Sequence, residues 1–202
     1  APGCAQELWV TSADKIIPLP DRFSYEQGAL VEPVSVAVHA TSRAGSLAGH
    51  RVAVLGAGPI GNLVAQVARS EGAQVLITDL SAYRLEVAQK CGLTGTSNAK
   101  EETLAQASER IFGKEGFDVV FECVGVEPTI TAAVETIGKG GTLIMVGVFG
   151  EKPRIDMGLV QDRELNIRGT PAMIFADGSR VPGYMPAAML EKSLDKGSAS
   201  PN

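Results

Sequence analysis

The segment Gly56-Ala57-Gly58-Pro59-Ile60-Gly61 constrains this chain most, because it follows the apolar run Val52-Ala53-Val54-Leu55 and opens a stretch with helical spacing. A GxGxxG string alone is weakly specific. Between a strand and a helix each glycine gains a distinct role, since the first permits a tight turn, the second lets a pyrophosphate approach the backbone, and the third lets the helix pack close to the strand. Pro59 suits the first helical turn, where its missing N–H costs nothing. The free N–H groups there face a phosphate with the favourable end of the helix dipole. Gly56, Gly58, Pro59, Ile60 and Gly61 are therefore predicted cofactor contacts. The alternative is a glycine-rich turn without a ligand.

From Arg51 onward, short apolar runs alternate with helical segments. Strands are predicted at Arg51–Leu55, Gln74–Thr78, Asp118–Glu122, Thr142–Val146 and Leu165–Arg168, with a further short one at Gly95–Ser97. Helices are predicted at Pro59–Ser70, Ala82–Cys91, Glu101–Phe112, Pro128–Ile137 and Pro186–Leu194. This alternation predicts an α/β fold with a doubly wound, six-stranded parallel sheet covered by helices on both faces. The N-terminal stretch to about Asp21 reads as an edge strand running into a turn at Pro18-Leu19-Pro20. Ser24 starts a short helix, and Glu32-Pro33 opens a longer one with Pro33 at its first position. Residues 1–32 thus read as a separate piece, 33–197 as the α/β domain and 198–202 as a frayed tail.

Composition narrows the class. With 202 residues, 45% hydrophobic and 20% charged, the chain can bury a core, and no apolar run approaches the roughly 18 residues of a membrane helix. A net charge of −5 argues against a nucleic-acid partner. Cys4, Cys91 and Cys123 form no CxxC pair, which predicts a reducing, cytoplasmic setting without a disulfide framework. The N-terminus carries no signal-peptide pattern and no initiator Met, which predicts a fragment or a processed chain.

Asp79 closes the strand after the glycine turn, about 20 residues on, where a carboxylate accepts hydrogen bonds from the adenosine ribose and repels a 2′-phosphate. This predicts NAD over NADP. The alternative is that Asp79 caps the helix near Ser81. Arg84 is placed over the adenine or its ribose, with a solvated helix arginine as the other reading. Glu122-Cys123-Val124-Gly125 ends the fourth strand and Val146-Gly147-Val148 the fifth, so both ends are candidates for the nicotinamide-side wall, or else ordinary strand termini. Cys123 is expected to pack as a small hydrophobe, since no histidine partner can be placed beside it.

Several of these residues carry a resemblance. The runs Ala29-Leu30-Val31-Glu32-Pro33-Val34-Ser35-Val36-Ala37-Val38-His39-Ala40 and Val52 to Gly61, with Asp79-Leu80-Ser81, Arg84, Gly140-Gly141-Thr142 and Leu165 to Thr170, resemble the medium-chain dehydrogenase/reductase superfamily. Within it, the chain is similar to the zinc-dependent polyol and threonine dehydrogenases. The resemblance implies a Rossmann-type NAD-binding domain, preceded by a remnant of a GroES-like catalytic domain, in an enzyme that oxidises an alcohol or polyol. It implies a homodimer or tetramer, with Pro171 to Phe175 as the candidate contact, and a last helix between Tyr184 and Gly197.

The resemblance also makes Glu32 a catalytic and metal residue, touching zinc or its water, while the cysteine and His-Glu pair that hold the metal are expected upstream of Ala1. His39 shares the helix face of Glu32, but seven residues at about 1.5 Å rise separate them by roughly 10 Å, too far for one zinc. His39 is expected to be a packed or hydrogen-bonded helix histidine, and His50 a loop residue. Zinc is thus expected in the full-length parent only. Two other readings stay open: a zinc-free quinone or enone reductase of the same superfamily, and a dinucleotide-binding module without catalysis.

Overall fold

The computed structural model describes residues 7–13, 16–113, 116–170, 172–174 and 180–182. They fall into two compact units, one ending at Glu32 and the other beginning at Pro33.

In the first unit the expected edge strand is absent among the described residues. Alternation alone does not make a strand, because the ladder needs a partner, and Leu8, Trp9 and Val10 are all exposed. The helix α1 (Tyr25–Ala44) starts here on a capping box: the Gln27 N–H donates to Ser24 Oγ at 3.2 Å, and the Ser24 N–H to Gln27 Oε1 at 3.0 Å. The sequence predicts two successive helices; there is one, and Pro33 lies inside it. The reason is local. Proline's fixed φ is itself helical, so with the start already capped at Ser24 only the bond to the Ala29 carbonyl is lost.

The second unit holds β1 (Arg51–Leu55), α2 (Pro59–Ser70), β2 (Gln74–Asp79), α3 (Ala82–Lys90), β3 (Gly95–Asn98), α4 (Leu104–Phe112), β4 (Phe117–Glu122), α5 (Glu127–Thr136), β5 (Ile137–Met145), α6 (Met157–Asp162) and β6 (Asn166–Gly169). The strands form one six-stranded parallel sheet, as the sequence predicts, in the order β3-β2-β1-β4-β5-β6. A two-stranded antiparallel pair follows, β7 (Ala172–Ile174) with β8 (Arg180–Pro182). The helix expected at Pro186–Leu194 lies outside the described residues.

The four central strands, β2, β1, β4 and β5, serve two cores because successive side chains point to opposite faces. Val52 and Val54 of β1, with Phe121 of β4, pack under Val64 and Ala68 of α2 and Leu85 of α3. Ala53 and Leu55, with Val120, pack under Ala107 of α4 and Ile130 and Val134 of α5. Complete burial of each large aliphatic side chain contributes about 1.5–3 kcal/mol, so the two layers dominate the stability of the unit. At the N-terminal edge, Asp118 clamps β4 to β1: Oδ2 accepts from the Arg51 N–H at 2.8 Å, and Oδ1 pairs with the guanidinium at 3.1 Å. All strand C-termini meet at the opposite edge. There the chain reverses winding between β1 and β4, which opens the crevice used by ligands of such sheets.

Candidate cofactor site

Gly56 turns at φ +99°, a conformation that side chains disfavour, and a Cβ there would lie 2.7 Å from Val124 Cγ2. Its N–H donates to the Thr78 carbonyl at 2.8 Å, tying the turn to β2. Gly61 has no room either, since a Cβ would collide with the Gly56 carbonyl oxygen. Gly58 differs: a Cβ would meet nothing within 4 Å, so its surface faces open space. That is the cradle a pyrophosphate needs. Gly58 caps α2 without a side-chain bond, no acidic residue sits in the first turn, and the first helical bond is from the Asn62 N–H to the Gly58 carbonyl. The N–H groups of Ile60 and Gly61 precede that bond and have no intrahelical acceptor.

Asp79 ends β2 beside this turn. Its side chain is only 8% exposed; Oδ2 accepts from the Ala57 N–H at 2.8 Å and Oδ1 from the Ser81 N–H at 2.8 Å. Arg84 Nη1 lies 3.5 Å from Oδ2, and its half-exposed guanidinium reaches back over the strand end. The cap of α3 is Ser81, not Asp79, because the Ser81 hydroxyl accepts from the Arg84 N–H. Asp79 therefore joins the glycine turn to the strand that follows it.

Across β1, Cys123-Val124-Gly125 and Val146-Gly147-Val148 stand side by side beyond β4 and β5. Val124 and Val148 are exposed apolar surface, while Gly125 and Val146 are buried beneath them. Cys123 packs against the core of the α2 face. Burial, and then the neighbouring Glu122 carboxylate, push its thiol far above the usual range, so it is inert as a nucleophile.

Glu32 and His39 are both exposed on α1, so of the two expectations for His39, packed or hydrogen-bonded, the packed one does not hold. Its position on an outward face of the helix explains this. Among the described residues no three histidine, cysteine, aspartate or glutamate side chains gather as metal ligands. The described residues therefore do not by themselves make a zinc site, since Glu32 has no second or third metal-ligand side chain gathered with it among them. No described helix is long and apolar enough to cross a membrane. Concavities of about 350 Å³ beside Gly116 and Ile137 and about 570 Å³ beside Gln89 and Asn98 do not include the glycine turn. An open crevice along strand ends encloses little volume, so the turn geometry locates the site better.

The zinc-binding dehydrogenase family matches residues 59–182, more than half of the chain. This chain belongs to that family. As a zinc-binding dehydrogenase chain it is 38% identical over 172 residues to the D-xylulose reductase of Saccharomyces cerevisiae, covering 83% of this chain and 48% of that protein. It is 41% identical over 155 residues to the sorbitol dehydrogenase of Ovis aries, covering 75% and 44%. A Sinorhizobium meliloti zinc-binding dehydrogenase structure, solved with NADP bound, superposes with a TM-score of 0.66 at 34% identity, covering 71% of this chain and 43% of that one. The chain spans about half the length of the curated relatives it matches.

Sequence reasoning places Glu122 at the end of the fourth strand, beside the candidate wall, but not the bonds that its side chain makes. Glu122 is fully buried at the end of β4, where the pattern of Val119-Val120-Phe121 calls for another apolar side chain. An acid at such a position, with Gly125 and Thr129 behind it, is the available signal.

Proposed function

We propose that this zinc-binding dehydrogenase chain is the cofactor-binding part of an NAD-dependent alcohol or polyol dehydrogenase. The observation that carries the reading is the pairing of an uncapped α2 start, open at Gly58, with the Asp79 carboxylate at the end of the adjacent strand. When bound, the nicotinamide accepts a hydride from the alcohol carbon. The chain's own residues hold and orient the cofactor, and the hydroxyl proton leaves through the catalytic part of the enzyme. The Ile60 and Gly61 N–H groups hold the pyrophosphate. Asp79 accepts from the ribose hydroxyls and disfavours a 2′-phosphate, Arg84 lies over the adenosine, and Val124 and Val148 keep water from the nicotinamide side. Residues 33–197 act as the cofactor domain and 1–32 belong with the catalytic domain. Glu32 serves chemistry completed by other parts of the enzyme.

The substrate class follows the polyol relatives, and a reducing cytoplasm suits Cys91 and Cys123, which are free among the described residues. Association into a dimer or tetramer uses the β6 edge, which is unpaired among the described residues. The test is the full-length enzyme assayed with NAD against secondary alcohols and polyols. Turnover should fall strongly in Glu32→Ala while NADH affinity stays within about twofold. An enzyme inert toward alcohols that reduces quinones or enones with NADPH contradicts the proposal.

A further inference from the structure

Glu122 is fully buried, and a carboxylate in that position costs several kcal/mol unless its oxygens are satisfied. Here they are. Oε1 accepts from the Val124 N–H at 3.0 Å, the Gly125 N–H at 2.9 Å and the Thr129 hydroxyl at 2.7 Å, and Oε2 lies 3.1 Å from the Gly125 nitrogen. The start of α5 follows directly, so the helix dipole favours the anion as well. The same residue holds the neighbouring strand end through its main chain: the Glu122 carbonyl accepts from the Val146 and Gly147 N–H groups, both at 2.8 Å. Space is matched to the carboxylate, since a Cβ on Gly147 would lie 2.7 Å from Oε2. Gly125, at φ +83°, turns its N–H inward to reach the carboxylate.

Glu122 therefore anchors both turns that carry Val124 and Val148, the exposed apolar pair on the side of β1 opposite Asp79. A purely structural role needs only a filled core position, which an apolar residue would satisfy more cheaply. The converging donors instead fix the turn after β4, and Gly147 of the turn after β5 packs directly against that turn and the carboxylate.

We infer that Glu122 is a positioning residue for the nicotinamide half of the cofactor, holding the turns after β4 and β5 in register so that Val124 and Val148 form one wall. The inference rests on the NAD-binding reading. It separates the two halves of the ligand: the adenosine half meets Asp79 and the glycine turn, whereas only the nicotinamide half meets the turns that Glu122 holds.

The experiment titrates the whole chain, wild type and variant, with NADH and with ADP-ribose. In Glu122→Gln, which keeps the volume but replaces one accepting oxygen by a donor, NADH affinity should fall about tenfold while ADP-ribose affinity stays within about threefold. Thr129→Val, which removes a single donor at a half-buried position, should shift the same ratio by about threefold and serves if Glu122→Gln does not fold. Equal losses for both ligands, or unchanged NADH binding in Thr129→Val, overturn the role of Glu122. A wild-type chain that binds neither ligand overturns the cofactor reading beneath it.

Discussion

The Asp79 carboxylate accepts the Ala57 N–H at 2.8 Å, so the side chain ending β2 fastens the glycine turn that follows β1. One residue thereby shapes the cradle and, in the proposed function, presents the charge that disfavours a 2′-phosphate. Asp79→Ala removes two hydrogen bonds to a carboxylate at an almost buried site, which should lower stability by about 2 kcal/mol in urea titration. In the same variant the preference for NADH over NADPH should narrow, since the 2′-phosphate meets less repulsion and Arg84 loses its partner. An unchanged preference would remove Asp79 from cofactor selection.

Two glycines of the turn should separate binding from folding. Gly58 has open space where a side chain would project and an ordinary φ of −64°, so Gly58→Ala should keep its melting temperature. It should nonetheless weaken NADH binding at least about tenfold, because the methyl group enters the volume of the pyrophosphate. Gly61→Ala drives a Cβ into the Gly56 carbonyl and should cost about 1–3 kcal/mol of stability even without ligand. Thermal melts paired with NADH titration check both. A destabilised Gly58→Ala that still binds NADH normally would reverse the assignment.

The Arg51–Asp118 clamp sets an acid limit on stability. Burial alone would raise the Asp118 carboxyl, but the hydrogen bonds and charge of Arg51 outweigh it and hold the group below its ordinary range. A folded value below the unfolded one means that the contribution is complete above about pH 4 and is lost as pH falls through the folded value. Because the pair is partly exposed, Asp118→Asn should cost about 1 kcal/mol or less at pH 7. That difference should close as pH falls through the lowered folded value, as urea titrations at several acid pH values would show. A gap that persists in acid would place the effect outside the ion pair.

Metal content gives an independent check. Catalytic zinc takes three protein ligands and one open position, and Glu32 alone supplies one. The isolated chain, incubated with zinc and desalted, should retain much less than one equivalent by elemental analysis, and with NAD added it should oxidise no alcohol. Stoichiometric zinc would reveal ligands not recognised in these residues.

What the sequence disclosed depended on how local each cause is. The glycine turn was legible because Gly56, Gly58 and Gly61 each answer a demand made within six residues, and the apolar strands Val52–Leu55 and Val119–Phe121 announced a sheet buried on both faces. Asp79 was legible by its distance from the turn, although its bond to Ala57 requires β1 and β2 to lie in register. The single helix through Pro33 was hidden because a proline at the first helical position and one in the interior leave similar sequence patterns, and the Ser24–Gln27 capping box decides between them. The strand expected near Trp9 failed for want of a partner, which no alternation pattern contains. The bonds of the Glu122 side chain were obscured most, since its three donors come from a turn and a helix that follow it.

Calorimetric titration of the chain with NADH and, separately, with NADPH tests the cofactor site most directly. One NADH site per chain is expected, with a dissociation constant of about 1–100 μM, since the chain offers the turn and both strand-end walls, and NADPH binding should be at least about tenfold weaker. No detectable heat with either dinucleotide at millimolar concentration, or equal affinity for the two, would contradict an NAD site at the glycine turn and Asp79.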